Sequence, residues 1–368
     1  MISLNRPYDV RNDKRLRQNK YREAQLTYSS REGLNVIYRK LYEERGTMRI
    51  AVSPLTCFIA IYPMVVNGHI PVFIDIDPLT LNMDEEKLLQ RTDVDAVQVI
   101  HLGGNPMRMD MVMEWARKNR IVVIEDCAQA LGATYNGQEV GMFGEYAVAS
   151  VVKNVYGVCG GILIGDSGIK EDDCKSISLI LIIYKRIKRF LEKKANAKRW
   201  GVWNMLYGVL LRLKDTQENG FANVVHLLPK KVDKELREKL EYWKWIDEKR
   251  KEKAKRLIVQ IDRTKYAIQQ EPKRGVCTRN RILLVSRYYP AKDVIRKLRK
   301  RGIAANNLTQ SYTHSYQEHV REDSIIGKYY TELLDNYEST LPKVVCVPCS
   351  PALSDKEIDY IAKELNSL

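Results

Sequence analysis

The chain has 368 residues, 45% of them hydrophobic, with 61 Lys and Arg against 46 Asp and Glu, giving a formal net charge of +15. That length and apolar content suit a large buried core divided over two domains, and nothing in the chain is low-complexity enough to read as disordered. The positive balance comes with no recognisable DNA- or RNA-binding motif, so nucleic acid is not an expected partner.

Residues 1–20 are polar and basic, without the apolar stretch of a secretory signal. No apolar run approaches the ~20 residues of a membrane-spanning helix, so a cytoplasmic location is expected. Tyr28-Ser29-Ser30-Arg31-Glu32 then marks a helix start, with Ser29 or Ser30 as N-cap and Glu32 in the first turn. Leu34, Ile37, Leu41 and Tyr42 recur at helical spacing over 31–45. Short strands are predicted at 49–52, 72–74, 96–100 and 122–124, alternating with helices at 83–89 and 109–118. That alternation argues for parallel pairing in a doubly wound α/β sheet.

The stretch from Val122 to Gly161 carries the chemistry. Apolar residues Ile121 to Ile124 end on the carboxylate pair Glu125-Asp126, and a run ending at Ser150 leads to Lys153, Gly160-Gly161 and Ile162-Leu163-Ile164. Read physically, a buried strand delivers an Asp at its C-terminal end, and two strands with a Lys between them come next. Open α/β sheets place ligands at such strand ends. An Asp against a ring nitrogen and a Lys able to form a Schiff base are what pyridoxal phosphate (PLP) requires. On spacing alone, a common strand end and a solvated turn lysine outweigh that reading.

Residues 175–214 form a long, basic, amphipathic segment. Ile180, Ile183, Ile187 and Phe190 fall at helical spacing, as do Trp203, Leu206, Val209 and Leu213, with lysines and arginines crowded between them. Peripheral contact with an anionic membrane, with Trp200 and Trp203 at the headgroups, and a lid or dimer element are the roles open to it. Residues 235–260 read as one long charged helix bridging two domains, 1–234 and 235–368. The seven cysteines are scattered, as suits reduced thiols. Cys346-Val347-Pro348-Cys349 spells CxxC in an apolar strand pattern, where neither a redox nor a metal role is expected.

Several segments resemble, in order and spacing, the DegT/DnrJ/EryC1/StrS family of PLP-dependent sugar aminotransferases. Asp126-Cys127-Ala128-Gln129-Ala130-Leu131-Gly132-Ala133 matches the family's Asp-x-Ala-Gln-Ala-x-Gly-Ala. Gly141-Met142-Phe143-Gly144-Glu145, Ser150, Lys153 and Gly160-Gly161 correspond to its Gly-x-x-Gly-Asp, Ser, Lys and Gly-Gly. Pro71 to Asp84, His101 to Asp110, and Leu353-Ser354-Asp355-Lys356-Glu357-Ile358 match further segments, so the likeness runs with gaps from about Thr27 to the end.

The resemblance implies the type I (aspartate-aminotransferase) fold with a smaller C-terminal α+β domain, and PLP as cofactor. It implies a nucleotide-sugar substrate, an amino-acid donor with glutamate the usual one, and a homodimer serving surface polysaccharide or other glycan biosynthesis. Asp126 would hold the ring-nitrogen proton, Lys153 would be the Schiff-base lysine and proton shuttle, and Gln129 would approach the ring 3′-oxygen. Ser30 and Arg31 fall on the phosphate turn, with Ser150 as a further phosphate hydroxyl. Pro54-Leu55-Thr56-Cys57-Phe58 is one residue short of the family's stacking motif, so Cys57 aligns with the aromatic and Phe58 is its expected substitute.

Two departures stand out. Two residues separate Ser150 from Lys153, where the family has four. The segment that reaches the partner subunit's site survives only as Gly220-Phe221-Ala222-Asn223-Val224, leaving Asn223 and no Arg. A PLP-dependent sugar dehydratase and a weakened relative acting as a scaffold are the alternatives; the family's dehydratases replace the lysine with histidine, and Lys153 argues against that activity. No metal site is expected.

Overall fold

The computed structural model describes residues 24–166, 168, 174–177, 182–187, 190, 225–308 and 326–368. Asn223 and most of the basic segment lie outside them.

The centre is a seven-stranded sheet, built from β1 (Gln25–Thr27), β2 (Arg49–Val52), β3 (Ile70–Phe73), β4 (Ala96–Ile100), β5 (Val122–Cys127), β8 (Tyr146–Ser150) and β9 (Gly161–Ile164). Its order is β1-β9-β8-β5-β4-β2-β3. From β3 to β8 every pairing is parallel, while β9 runs antiparallel to both β8 and β1. β4 and β5 are buried throughout, the near-continuous apolar reading of strands covered on both faces. The helices between them are α1 (Ser30–Arg45), α2 (Phe58–Val66), α3 (Glu85–Leu89) and α4 (Met109–Asn119). α1 starts where Ser29 accepts a hydrogen bond from the Glu32 N–H, and α4 ends at Arg120 in the left-handed region. The doubly wound expectation is met, and the fold is that of type I PLP-dependent transferases.

Two local expectations are corrected, and the setting of Lys153 gains detail. The strand predicted at 122–124 continues to Cys127, so Glu125 and Asp126 are paired strand residues, Asp126 opposite Val148. Lys153 lies between β8 and β9 as expected, and the connection there is a one-turn helix, α5 (Val151–Val155), ended by Tyr156 at φ 59°. The single helix predicted at 235–260 is two, α6 (Lys230–Leu240) and α7 (Trp243–Gln260), separated at Glu241 and Tyr242.

Before α6, the short strands β10 (Cys174–Ser176) and β11 (Val225–Leu227) pair in parallel. After α7 a three-stranded antiparallel sheet, β12 (Tyr266–Ile268), β14 (Ile282–Ser286) and β15 (Val344–Val347), packs with the C-terminal helix Asp355–Asn366 around a second core. That helix opens on a reciprocal Ser354–Glu357 capping box. Cys346 and Cys349 are both buried free thiols. Leu236, Leu240, Trp243 and Ile246 pack with the first half of the chain, whereas Ala254, Leu257 and Ile261 belong to the second core. We therefore propose that the domain division lies within α7, later than the boundary expected at 234/235. One strand crosses back: β13 (Gly275–Val276) pairs with β6 (Thr134–Tyr135), beside β7 (Gln138–Glu139).

The start of α7 presses on the turn after β5. A Cβ on Gly132, at φ +90°, would come within 2.6 Å of the Trp243 ring. Buried Asp247 lies against the same turn; Lys251 pairs with one of its oxygens at 2.6 Å, and its Oδ1 has no hydrogen-bond partner among the described residues. Burial, opposed by Lys251, pushes its pKa from 3.8 to about 6. A raised folded-state pKa means the proton favours the native state: this contribution is complete below the unfolded value and is lost as pH rises through about 6. Asp247→Asn is therefore expected to raise stability at pH 8 by about 1–2 kcal/mol, with little change at pH 4. Thermal midpoints of both proteins at the two pH values check this; an equal shift at both assigns the effect to packing.

Candidate active site

Asp126 emerges at the C-terminal end of β5 and is 3% exposed. Its Oδ1 accepts the Ala128 N–H at 2.9 Å, and its Oδ2 lies 3.4 Å from Gln98 Nε2. Gln98 is in turn held by the buried Tyr38 hydroxyl at 2.9 Å. Burial pushes the Asp126 carboxyl above its usual range, with the charge of Lys153 and the Ala128 amide opposing.

The neighbouring carboxylate has a different task. Glu125 accepts the backbone N–H groups of Gly141, Phe143 and Gly144 at 2.7–2.8 Å, and lies 3.2 Å from His101 Nε2. His101 Nδ1 accepts the Met107 N–H, so Nε2 carries the proton directed at Glu125. Burial alone raises the Glu125 pKa, but His101 and the amides outweigh it and hold it low. His101, Glu125 and Cys127 are close enough for a metal triad. His101 and Glu125 are already committed to this network, which fixes the 141–144 loop and leaves Asp126 as the carboxylate facing the cavity.

Lys153 faces Asp126 across a cavity of ≈ 290 Å³ that both line. Ser150 ends β8, caps α5 by accepting the Lys153 N–H at 3.3 Å, and lines the same cavity. The shortened Ser150–Lys153 interval is thus one capped helical turn. Three side chains hold that turn from below. Asn154 donates to Ala128 O and Ser150 O, Arg250 donates to Asn154 O at 2.7 Å, and Asn280 donates to Lys153 O at 3.0 Å. Burial pushes the Lys153 pKa down; Cys57 and Asp126 oppose this, and Arg281 reinforces it.

The other end of the cavity is the first turn of α1, with Ser29, Ser30 and Arg31 in its wall. Gly161 allows this approach: a Cβ there would lie 2.4 Å from Ser29 C and Ser30 N. Glu32 fastens the turn, accepting the Tyr28 and His226 N–H groups at 2.8 Å and pairing with the His226 ring at 2.6 Å.

The structure therefore brings together Ser30, Arg31, Asp126, Gln129, Ser150 and Lys153. Gln129 lines the cavity while its Oε1 accepts the Gly103 N–H at 3.1 Å. Phe58 is corrected: its ring lies 5.5 Å from that of Tyr62, and the cavity wall at this point is Cys57, Ile59 and Ala60. Asn223 lies outside the described residues.

Sequence reasoning missed Arg281 and Lys185 in the wall, and Gln98, Asn154, Arg250 and Asn280 behind it; Cys57, which aligns with the stacking position, is in the wall where Phe58 was expected. Gln98 alone carried a signal, as the one polar residue in the apolar run Ala96–Ile100. Among the described lining residues four are basic, Arg31, Lys153, Lys185 and Arg281, against one acidic, Asp126. The arrangement suits an elongated ligand with an anionic group at the α1 N-terminus. A protonated ring nitrogen at the other end would supply the cationic partner that buried Asp126 favours. A phosphorylated pyridine carbonyl fits both ends, with an amine at Lys153 to meet the carbonyl.

A model of the DegT/DnrJ/EryC1/StrS aminotransferase family matches residues 22–366. GDP-perosamine synthase of Escherichia coli O157:H7 is 31% identical over 131 residues, 34% of this chain and 35% of that protein. The matched stretch spans about a third or less of the length of such curated relatives. Among solved structures, a GDP-4-keto-6-deoxymannose-3-dehydratase with bound GDP-perosamine aligns at TM-score 0.69 and 18% identity, covering 93% of this chain and 88% of that one. A putative sugar aminotransferase of Streptococcus pneumoniae in its PMP form aligns at TM-score 0.69 and 17% identity, covering 100% and 98%. The likeness to both structures is one of fold.

Proposed function

We propose that this chain, which belongs to the DegT/DnrJ/EryC1/StrS aminotransferase family, is a PLP-dependent enzyme that converts a keto group on a nucleotide-linked sugar to an amine. An amino acid, glutamate first among them, is the donor. The observation that carries the reading is the placement of Asp126 and Lys153 at the two sides of one cavity, with the α1 N-terminus at its end.

When bound, PLP supplies an electron-accepting ring and a carbonyl that exchanges amines. The chain's residues orient and protonate around it. The first turn of α1, with Ser30 and Arg31, and the Ser150 hydroxyl would bind the phosphate. Asp126 would hold a proton at the ring nitrogen. Gln129, fixed by Gly103, would hydrogen-bond beside the ring oxygen. Lys153 Nζ would take the proton from the substrate carbon and return it. It must be uncharged to do so, and its burial and the nearby Arg281 favour that state. The amine at 153 favours amination over the dehydratase reading. We further propose an isologous homodimer, and peripheral membrane contact through 175–214, where Ile183, Ile187 and Phe190 are exposed.

Purified protein should be yellow, lose its violet absorption band on borohydride reduction, and then carry the cofactor on a peptide containing Lys153. Turnover of keto-sugar nucleotides with glutamate should track the yellow species. A colourless protein that takes up no PLP would move the weight to a non-catalytic binding role, as would sedimentation as a monomer with and without PLP.

A further inference from the structure

The wall residue Lys185 belongs to the basic segment after β9, to which the proposed transamination assigns no step. Ile182, Lys185 and Arg186 fall three and four residues apart, one face of the helix over 182–187. Ile182 is buried in the core that holds Leu236 of α6, and Arg186 pairs with Glu235 of the same helix at 2.5 Å. Between these two anchors Lys185 turns inward. Its ammonium lies 4.2 Å from the Tyr28 ring centroid, and it lines the cavity together with Ser29, Ser30 and Arg31.

Glu32 holds Tyr28 and His226, and Glu235 holds Arg186 and Lys239. A cation fixed from behind and directed at the first turn of a 16-residue helix adds a second positive charge to the one at Arg31.

We infer that Lys185 is a phosphate-binding residue of the active site, supplied to the anionic end of the cavity from within the same chain. This rests on the PLP reading of the site. The chemistry it would recognise is a phosphate ester or diphosphate, from either the cofactor or the nucleotide-sugar substrate. Lys185 is not placed at the reacting atoms; it binds.

The test is direct titration of the full-length protein and of Lys185→Gln and Lys185→Arg variants, monitored by cofactor absorbance. PLP and pyridoxal, which lacks the phosphate, are the two probes, with UDP and GDP titrated separately by calorimetry. Lys185→Gln should weaken PLP by about 10-fold or more and leave pyridoxal within about twofold, and Lys185→Arg should recover most of the loss. Loss confined to the nucleotide diphosphates would identify the substrate as the source and also supports the assignment. Wild-type affinity for PLP, UDP and GDP in Lys185→Gln overturns it, as does an equal loss of PLP and pyridoxal. Failure of the wild-type protein itself to bind PLP would refute the proposed function instead. Matched thermal midpoints of the cofactor-free proteins establish that the substitution leaves the fold intact.

Discussion

Lys153→Ala should abolish turnover, by roughly three orders of magnitude or more, and remove the borohydride-fixed cofactor from its peptide. The expectation comes from how the structure spends its interactions on this one turn of helix. Ser150 caps it, Asn154 and Arg250 fasten its carbonyls, and Asn280 reaches across from the second half of the chain to the Lys153 carbonyl itself. These contacts hold the backbone of the turn, so the alanine variant should keep the wild-type fold, which circular dichroism of the two proteins checks. Lys153→Arg should not restore activity, because a guanidinium stays protonated and cannot form the imine. The informative failure is specific: Lys185 lines the same cavity. A trapped cofactor that maps to Lys185 in the wild-type protein would displace Lys153 from its role.

Asp126→Asn should cost about 10²–10⁴-fold in rate while leaving the cofactor bound, since an amide cannot hold the ring-nitrogen proton. Its second signature is thermodynamic. Burial raises the Asp126 pKa in the folded state, so the ionised carboxylate destabilises the cofactor-free protein, increasingly as pH rises through that pKa. The amide removes this cost. Cofactor-free Asp126→Asn should therefore melt higher than wild type at pH 8, by roughly 2–4 °C, with the gap closing towards low pH. Near-normal turnover would assign the ring nitrogen to another group. A lower melting point at high pH would mean that the Gln98 and Ala128 contacts outweigh the desolvation of the carboxylate.

The sequence made the parallel strands legible because each is a short apolar run between punctuating turns, and β2 and β4 have the bounds that pattern predicts. It made Asp126 and Lys153 visible through spacing and family wording. What it could not show was where the second half of the chain returns to the site. Asn280 and Arg281 precede β14 as ordinary polar residues, and only the packing of that sheet against the first half brings them to Lys153. Phe58 shows the complementary limit. Counting residues places it next to the stacking position, but the residue that aligns with that position, Cys57, is the one that lines the cavity. The break between α6 and α7 was hidden for a related reason: charged residues recur at helical spacing straight through Glu241, with no Gly or Pro to announce it.

The pairing of β13 with β6 bears on motion. Around it, Asn105 donates to Gln270 O at 2.7 Å, Gln269 donates to Thr80 O and Leu102 O, and Thr278 and Arg281 donate their backbone N–H groups to Gly104 O and Gly103 O. The strip from Gln269 to Arg281 thus belongs mechanically to the first half of the chain, although its sequence neighbours build the second core. The C-terminal sheet is tied to the same half, with Leu283, Val344 and Cys346 in the central core, so any rotation of it would have to break that packing. Asn280 and Arg281 are thus set beside Lys153 by fixed contacts, and the site is assembled without a closing motion.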